Sequence, residues 1–243
     1  MKIMKSNLAN KILQETESGY DKMSEKFSQT RKFFWRGMEF IKDYVHDGDS
    51  ILDFGCGNGR LLDLFTDKKL DYLGLDPSQK LINLAKNKYP NENFSKFDPS
   101  QSSLALEDNY FNTIYSIAVF HHFPSFEYRK KMAEELYRIT KQDGQIVITV
   151  WNLWPALHLL RRGKQKIYFK NILKNWLDKI LGKSKLDWND CYITFKNNQG
   201  ENFSRFHHAF TKRELKKFFE AVGFQTEMCK VINGRNIIYI GKK

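Results

Sequence analysis

A short glycine-rich segment carries the clearest chemical signal in this sequence. An apolar run ends in Asp53, and Gly55, Gly57 and Gly59 follow at alternate positions. This pattern predicts a buried strand that turns sharply into a helix, with backbone left open for a ligand to approach. The dinucleotide-binding fingerprint would place its third glycine one residue later, where this chain has Arg60. A phosphate-binding P-loop would end in Lys-Ser or Lys-Thr.

Two further strand-like runs also end in an acid. Asp76 follows the first run, 17 residues after Gly59, and Asp98 follows the second. An acid at the tip of the second strand of a doubly wound fold accepts hydrogen bonds from ribose hydroxyls, and Pro77 then opens a helix. Three such acids suit a cationic adenosine ligand better than a phosphate, which favours backbone N–H groups and cations. The alternative is that the acids only cap turns and helices.

Composition limits the classes of protein that fit. The chain has 243 residues, 41% of them hydrophobic, which predicts one α/β domain with extensions and excludes a disordered chain. No apolar run approaches the roughly 20 residues of a membrane-spanning helix. Residues 1–13 are basic and polar, without the apolar core of a signal peptide. Three widely spaced cysteines form neither a disulfide framework nor a zinc site, so we expect a reducing, cytoplasmic location and no metal.

The positive charge is concentrated in one segment. The formal net charge is +12, and residues 161–185 hold nine lysines and arginines but one acid, Asp178. Apolar residues recur through this segment at helical spacing, which predicts a basic amphipathic helix. It has three interpretations: a helix that faces nucleic acid, a membrane-surface helix, or a packed helix with a solvated lysine face. We rank nucleic acid above peripheral membrane contact.

Strands and helices alternate through most of the chain. Predicted strands lie at 51–54, 71–75, 93–97, 112–118, 144–150, 224–231 and 235–240, and predicted helices at 59–66, 78–88, 126–140 and 211–221. This alternation predicts a mostly parallel sheet of seven strands with helices on both faces. The Asn233-Gly234 turn predicts a C-terminal antiparallel hairpin. We expect a single domain made of a helical extension (1–44), a core (45–151), a basic insertion (152–204) and a C-terminal helix and hairpin (205–243).

The motifs together resemble a known class of enzymes. The glycine segment resembles motif I of the class I S-adenosylmethionine (SAM) methyltransferases, and the terminal hairpin is typical of their Rossmann-like fold. Residues 116–123 resemble the stretch after the fourth strand in one family, the tRNA wobble-uridine carboxymethyl methyltransferases, which include the methyltransferase domain of the animal AlkB-type fusion protein. Three other segments agree with that family. They are the N-terminal segment from Tyr20 through Phe27-Ser28-Gln29-Thr30-Arg31 to Trp35, the pair Val150-Trp151, and Arg205-Phe206-His207-His208-Ala209-Phe210.

The sequence departs from this family near the expected substrate site. Phe206 and His207 stand where the family has tyrosines, and Asn152-Leu153-Trp154 replaces its usual continuation after Val-Trp. The segment 161–185 has no family equivalent that we can align. The resemblance therefore defines the cofactor better than the substrate.

The resemblance implies SAM as cofactor and names the residues that hold it. These are Tyr20, Asp53, Gly55, Cys56, Gly57, Gly59, Asp76, Pro77, Asp98, Ser116 and Ile117. The candidate catalytic residues, which would orient the acceptor, are Arg31, His121, Arg205 and His208, with His122 as a further donor. His121 and His122 are adjacent, so we expect their side chains to diverge and not to share a metal. A carboxylate acceptor needs no general base, and an arginine can bind it through two hydrogen bonds.

Three hypotheses follow for the function. The first is a SAM-dependent methyltransferase that acts on a carboxymethyl-type wobble uridine of tRNA, with a small activating partner protein as in the eukaryotic relatives. The second is an O-methyltransferase for a small molecule or a quinone or lipid intermediate, in which residues 152–204 form a lid or a membrane contact. The third is a SAM-fold scaffold without activity, which the complete set of glycines and acids disfavours.

Overall fold

The structure, a computed structural model, describes residues 4–31, 33–101, 103–154 and 164–243. The strands are β1 (Ser50–Phe54), β2 (Asp71–Asp76), β3 (Asn93–Lys96), β4 (Phe111–Ile117), β5 (Thr140–Trp151), β6 (Asp190–Lys196), β7 (Asn202–His208), β8 (Gln225–Ile232) and β9 (Asn236–Lys242). Seven of them form one sheet in the order β3-β2-β1-β4-β5-β9-β8. The first five pair in parallel, and β9 runs antiparallel to both β5 and β8. The predicted fold class is confirmed.

Helices cover both faces of this sheet. The helices are α1 (Ser6–Thr30), α2 (Gln79–Lys88), α3 (Phe126–Ile139), α4 (Lys164–Ile180) and α5 (Lys212–Val222). Of these, α2, α3 and α5 pack on this sheet, and α4 packs on β6. One core joins α3 and α5 to the face that carries Leu52, and the other joins α2 to the face that carries Ile51. Neighbouring residues of a strand point to opposite faces, so β1 contributes to both cores.

The C-terminal hairpin follows from its turn residues. Asn233 has φ 49° and Gly234 has φ 67°. Left-handed backbone at both central positions defines a turn whose twist matches that of paired antiparallel strands. The Asn-Gly signal therefore predicted β8, β9 and their pairing correctly.

Two local predictions differ from the structure. The helix expected at 59–66 is a short 3-10 turn, Arg60–Leu64, in which the N–H groups of Leu62 and Phe65 each donate to the carbonyl three residues earlier, at 3.1 and 3.0 Å. The expected insertion contains β6, which pairs antiparallel with β7 as a separate hairpin. The boundary expected between residues 204 and 205 therefore falls inside β7. Residues 161–163 of the expected basic helix lie outside the described residues, and α4 accounts for most of the rest.

Candidate active site

A cavity of about 790 Å³ opens where β1, β2 and β4 end. This edge of a parallel sheet, beside the point where strand order reverses, is where doubly wound folds bind ligands. Six of the predicted cofactor residues line the cavity: Tyr20, Gly55, Gly57, Asp76, Pro77 and Ile117. Two of the residues expected to orient the methyl acceptor, Arg31 and His122, line it as well.

The glycine loop and the second acid are joined directly. The backbone N–H of Gly57 donates to Asp76 Oδ2 at 2.9 Å, and that of Ser78 donates to Oδ1 at 2.9 Å. At Gly55, which has φ 85°, an added Cβ would lie 2.2 Å from Val119. The loop therefore requires glycine here, and it fixes a carboxylate at the cavity wall. Burial raises the pKa of Asp76 to about 6, so the group is mostly ionised at neutral pH.

Asp53 and Cys56 lie behind the loop and are not among the lining residues. Asp53 accepts a hydrogen bond from the Tyr72 hydroxyl at 2.9 Å, because its side chain points to the same face of the sheet as Ile51. Burial raises the pKa of Asp53 to about 7. The buried Cys56 packs against Gly74, whose added Cβ would lie 3.1 Å from the thiol sulfur. Both residues support the loop.

Asp98 is turned away from the cavity. Its carboxylate is exposed and accepts hydrogen bonds from the backbone and the hydroxyl of Ser100, at 2.8 and 2.7 Å. Its neighbours Phe97 and Pro99 line the cavity instead. The turn that Asp98-Pro99 favours orients the acid in this way, so the structure matches the alternative interpretation of Asp98 as a cap. Gly59 and Ser116 also do not line the cavity.

Helix α1 closes one side of the cavity through Tyr20. The Tyr20 hydroxyl lies 2.8 Å from His122 Nε2, and His122 Nδ1 lies 2.9 Å from the carbonyl oxygen of Phe206. A carbonyl only accepts, so Nδ1 carries the proton and Nε2 accepts from Tyr20. Burial lowers the pKa of His122 to about 3, which keeps the ring neutral. This chain of hydrogen bonds connects α1, the turn after β4 and β7.

Arg205 is buried directly behind this wall. It is 1% exposed, and its Cζ lies 3.5 Å from the centre of the Phe195 ring and 4.8 Å from that of Tyr20. Within the described part of the chain, none of its three side-chain nitrogens has a hydrogen-bond partner. Burial lowers the pKa of Arg205 and outweighs the opposing effect of the neighbouring Tyr20, yet an arginine remains charged at neutral pH. A buried guanidinium without a hydrogen-bond partner is costly, and cation–π contact with the Phe195 and Tyr20 rings offsets part of that cost.

His121 and His207 lie next to this guanidinium. Both rings are fully buried, and among the described residues both nitrogens of His121 and Nε2 of His207 have no hydrogen-bond partner. His121 stacks on His207 and on Trp151, with ring centres 5.1 and 5.5 Å apart. Burial lowers the pKa of both histidines well below the usual value. The result is a neutral aromatic layer with unsatisfied polar atoms behind the cavity.

The expectation that His121 and His122 diverge is wrong. Their ring centres are 4.3 Å apart in the 3-10 turn Phe120–His122, and the His207 ring of β7 packs against both. With His207 they form a group whose nitrogens lie within 4.8 Å of one another. Both nitrogens of His122 already have hydrogen-bond partners, and the His121 and His207 rings stack at 15°, so their lone pairs do not converge on one point. The absence of a metal stays a prediction.

Two further aromatic residues contribute to the site, Trp35 of the N-terminal motif and Phe195 of β6. Trp35 lines the cavity and lies under the guanidinium of Arg60, 4.1 Å from Cζ to the ring centre. Phe195, on β6, forms the closest wall of Arg205. The sequence carried a signal for Trp35 in the N-terminal motif. It carried none for Phe195, because pairing of β6 with β7 brings this residue beside residues far from it in sequence.

His208 is committed to another role. Its Nδ1 lies 2.7 Å from Asp190 Oδ1 and its Nε2 lies 2.8 Å from Glu214 Oε1, and it does not line the cavity. Burial and the nearby Arg129 act to lower its pKa, but hydrogen bonds to the two carboxylates outweigh them, so the pKa of His208 is raised. A ring with both nitrogens occupied cannot orient an acceptor. His208 instead ties the β6–β7 hairpin to the start of α5.

The raised pKa predicts a pH-dependent contribution of His208 to stability. This contribution is complete below about pH 6.5, where the unfolded ring is also protonated, and is lost as the pH rises through the folded pKa. We expect His208→Gln to lower the free energy of unfolding by about 3 kcal/mol at pH 6 and by less at pH 9. Urea unfolding across this range measures the difference. His46→Gln, at a ring whose side chain is 85% exposed, is the control, and a difference for His208→Gln that does not change with pH would contradict the assignment.

Comparisons with known proteins agree with this geometry. A family model described as a methyltransferase domain matches residues 21–227. The chain belongs to this methyltransferase domain family. A crystal structure of a SAM-dependent methyltransferase from Methanosarcina mazei superposes with a TM-score of 0.68, at 20% identity, over 87% of this chain and 98% of that one. At that identity the likeness shows the fold alone.

Two curated relatives are similar in sequence, and both are named tRNA (carboxymethyluridine(34)-5-O)-methyltransferase. The Arabidopsis thaliana protein is 33% identical over 132 residues, which is 54% of this chain and 31% of that protein. The Schizosaccharomyces pombe protein is 28% identical over 213 residues, covering 84% of this chain and 86% of that protein. The match thus spans less than a third of the plant relative, and nearly all of the yeast one. The predicted resemblance to this family is confirmed.

Proposed function

We propose that this chain transfers a methyl group from SAM to the carboxylate of a carboxymethyl-type modified wobble uridine in tRNA. The observation that carries the proposal is Arg205, a buried guanidinium without a hydrogen-bond partner among the described residues, directly behind the cavity wall. A carboxylate is the planar anion that an arginine binds through two parallel hydrogen bonds. The family supports methyl transfer, and the names of the two relatives support the same acceptor.

The cavity fits SAM. It is lined mainly by apolar and aromatic side chains with a few polar groups, as small-molecule sites usually are. Asp76 would accept from the ribose hydroxyls with lone pairs that the two backbone N–H groups leave free, and the loop at Gly55 and Gly57 would leave space for the amino-acid portion. When bound, SAM would supply a methyl group carried on a positively charged sulfur.

The protein contributes alignment and shielding from water rather than acid–base chemistry. A carboxylate is ionised at neutral pH, so no side chain has to remove a proton. His122 is neutral and both of its nitrogens are occupied, which suits a positioning role: it holds Tyr20 at the cavity wall beside Arg205. The Tyr20 side chain would have to shift for a carboxylate to reach the guanidinium. Holding two reactants in line is a sufficient source of rate enhancement for such a displacement.

Arg31 and the aromatic residues would position the rest of the nucleotide. Arg31 lines the cavity with its guanidinium 4.2 Å from the Phe27 ring centre, and Trp151 lines it as well. Phe33 lies between Arg31 and Trp35 in sequence, and its side chain is 82% exposed. Exposed aromatic rings beside arginines are typical of sites that stack unpaired RNA bases. A requirement for a small activating protein stays a prediction.

The test is methyl transfer to two matched RNA substrates. An anticodon stem-loop with 5-carboxymethyluridine at the wobble position should accept label from SAM, and the product should lose the label under mild base, as an ester does. The same stem-loop with the side-chain amide should accept none, because the amide lacks the anionic oxygens that Arg205 binds. The assay should be run with and without host extract, to supply any activating protein.

Two outcomes would overturn the proposal. Transfer to the amide or to unmodified uridine at a similar rate would show that the carboxylate is not the acceptor. SAM binding without transfer to either stem-loop, or to tRNA from a host that lacks this gene, would move the acceptor to a small molecule.

A further inference from the structure

Helix α4 is fixed to the protein by one of its faces. Ile172 is fully buried in a small core with Cys191 and Ile193 of β6. Asn175 is buried too, and its Nδ2 donates to the carbonyl oxygen of Asp187 at 2.7 Å. This face points toward the β6–β7 hairpin and Trp151. The position of α4 therefore does not depend on a partner.

A neighbouring face of α4 carries an exposed aliphatic stripe. Leu173, Leu177, Ile180 and Leu181 are 41, 57, 71 and 56% exposed. Their spacing of four, three and one residues places them along one side of a helix and its C-terminal end. Exposed single apolar residues are ordinary, but four in one row on a helix mark an interaction surface. We call these four residues the α4 stripe.

Lysines border the α4 stripe at both ends. Lys166, Lys170 and Lys174 precede or flank it, and Lys183 and Lys185 follow it, all five exposed. From residue 164 to 185 the sequence has seven lysines and a single acid, Asp178, which pairs with Lys174 at 2.6 Å. The surface thus combines exposed aliphatic groups with a strong positive charge.

This combination selects among the partners considered for the basic segment. RNA bases stack on aromatic rings and RNA phosphates pair with cations, so a row of leucine and isoleucine side chains adds nothing to RNA binding. A bilayer with anionic lipids uses both features, because aliphatic side chains enter the acyl boundary while lysines pair with headgroups. Within the described residues, no helix is long and apolar enough to cross a membrane. Contact would therefore be at the surface.

We propose that the α4 stripe and its bordering lysines bind the surface of a membrane that contains anionic lipids. This inference is independent of the proposed methyl transfer, because the stripe is exposed and separate from the face of α4 that packs toward Trp151. For this surface, the structure thus favours peripheral membrane contact over nucleic acid, the reverse of the ranking that we made from the sequence.

Vesicle flotation with the full chain tests the inference. The wild type should float with phosphatidylcholine vesicles that contain 30% phosphatidylserine, and much less with phosphatidylcholine alone. Leu177→Asp combined with Ile180→Asp should lower the partition coefficient at least about ten-fold, since it removes apolar contact and adds repulsion. Lys166→Glu combined with Lys170→Glu should lower it by about five-fold or more for each lysine.

A matched control and the alternative results distinguish membrane binding from other roles of the α4 stripe. Lys131→Glu combined with Lys217→Glu makes the same change in net charge at exposed sites elsewhere and should leave the partition nearly unchanged. Absence of wild-type flotation, or flotation that neither α4 variant reduces, would overturn the proposal. Two other results would also overturn it. The first is that the wild type forms a dimer, does not bind vesicles, and becomes monomeric when Leu177→Asp is combined with Ile180→Asp. The second is that these variants lose tRNA binding while the wild type does not bind vesicles.

Discussion

Arg205→Met should reduce kcat/KM for methyl transfer to the carboxymethyluridine stem-loop by about 10²- to 10³-fold, with SAM affinity nearly unchanged. The loss is that expected when a buried charge-assisted donor to the reacting group is removed. Arg205→Lys should recover only part of it, because an ammonium keeps the charge but not the two parallel donors. Single-turnover rates and isothermal titration with SAM separate the two effects.

The stability of the same variant distinguishes a binding role from a structural one. In the absence of substrate, the three nitrogens of Arg205 have no hydrogen-bond partner among the described residues. Replacing an unpaired buried charge by an apolar side chain of similar length is often neutral or stabilising. We therefore expect the thermal midpoint of Arg205→Met to stay level or rise. A fall in midpoint that parallels the loss of activity would assign Arg205 to the fold, and Arg213→Met, at an exposed site on α5, is the control.

The second large effect is expected at Asp76, with Asp98 as its matched control. Asp76→Ala should weaken SAM binding by at least about 10²-fold, because it removes the acceptor for the ribose hydroxyls and releases the Gly57 loop. Asp98→Ala should leave the affinity within about two-fold, since that carboxylate only caps the Ser100 turn. Equal losses in the two variants would mean that the cavity is not the adenosine site. Thermal unfolding checks that both variants remain folded.

The same carboxylate predicts a pH dependence of SAM binding. Burial raises the pKa of Asp76 to about 6, and only the ionised form accepts two donors on each oxygen. Affinity should therefore be constant above about pH 7 and fall as the pH drops through 6. The Asp76→Ala variant should lose this dependence, so its remaining affinity should be nearly flat over the same range. Titration calorimetry at each pH measures both curves.

Most of the sheet could be predicted from the sequence because its signals are local. A buried strand that ends in an acid, a glycine turn and an Asn-Gly hairpin each depend on backbone geometry within a few residues. The short turn at Arg60–Leu64 and the β6–β7 hairpin could not be predicted in the same way. The first depends on which carbonyl groups the N–H groups of Leu62 and Phe65 reach. The second pairs two strands that follow the lysine-rich segment, where the sequence analysis predicted no strand.

For the candidate site residues, too, local sequence signals were not enough to predict their positions. Asp53, Asp76 and Asp98 have the same sequence context, an acid after an apolar run, yet only Asp76 lines the cavity. The direction of a side chain at the end of a strand depends on the face it occupies and on the turn that follows. His208 looked as suitable as Arg205 for orienting an acceptor. The carboxylates that occupy it, Asp190 and Glu214, belong to other elements.

The sequence by itself determined the doubly wound fold, the family and the position of the cofactor loop, because each rests on short-range patterns of glycine, acid and apolar residues. Only the tertiary structure decided which acid faces the cavity, which histidine is held in an ion pair, and that Arg205 is buried without a partner among the described residues. It also decided that the lysine-rich helix exposes an aliphatic stripe. These features depend on contacts between residues far apart in the chain, and no local pattern encodes them.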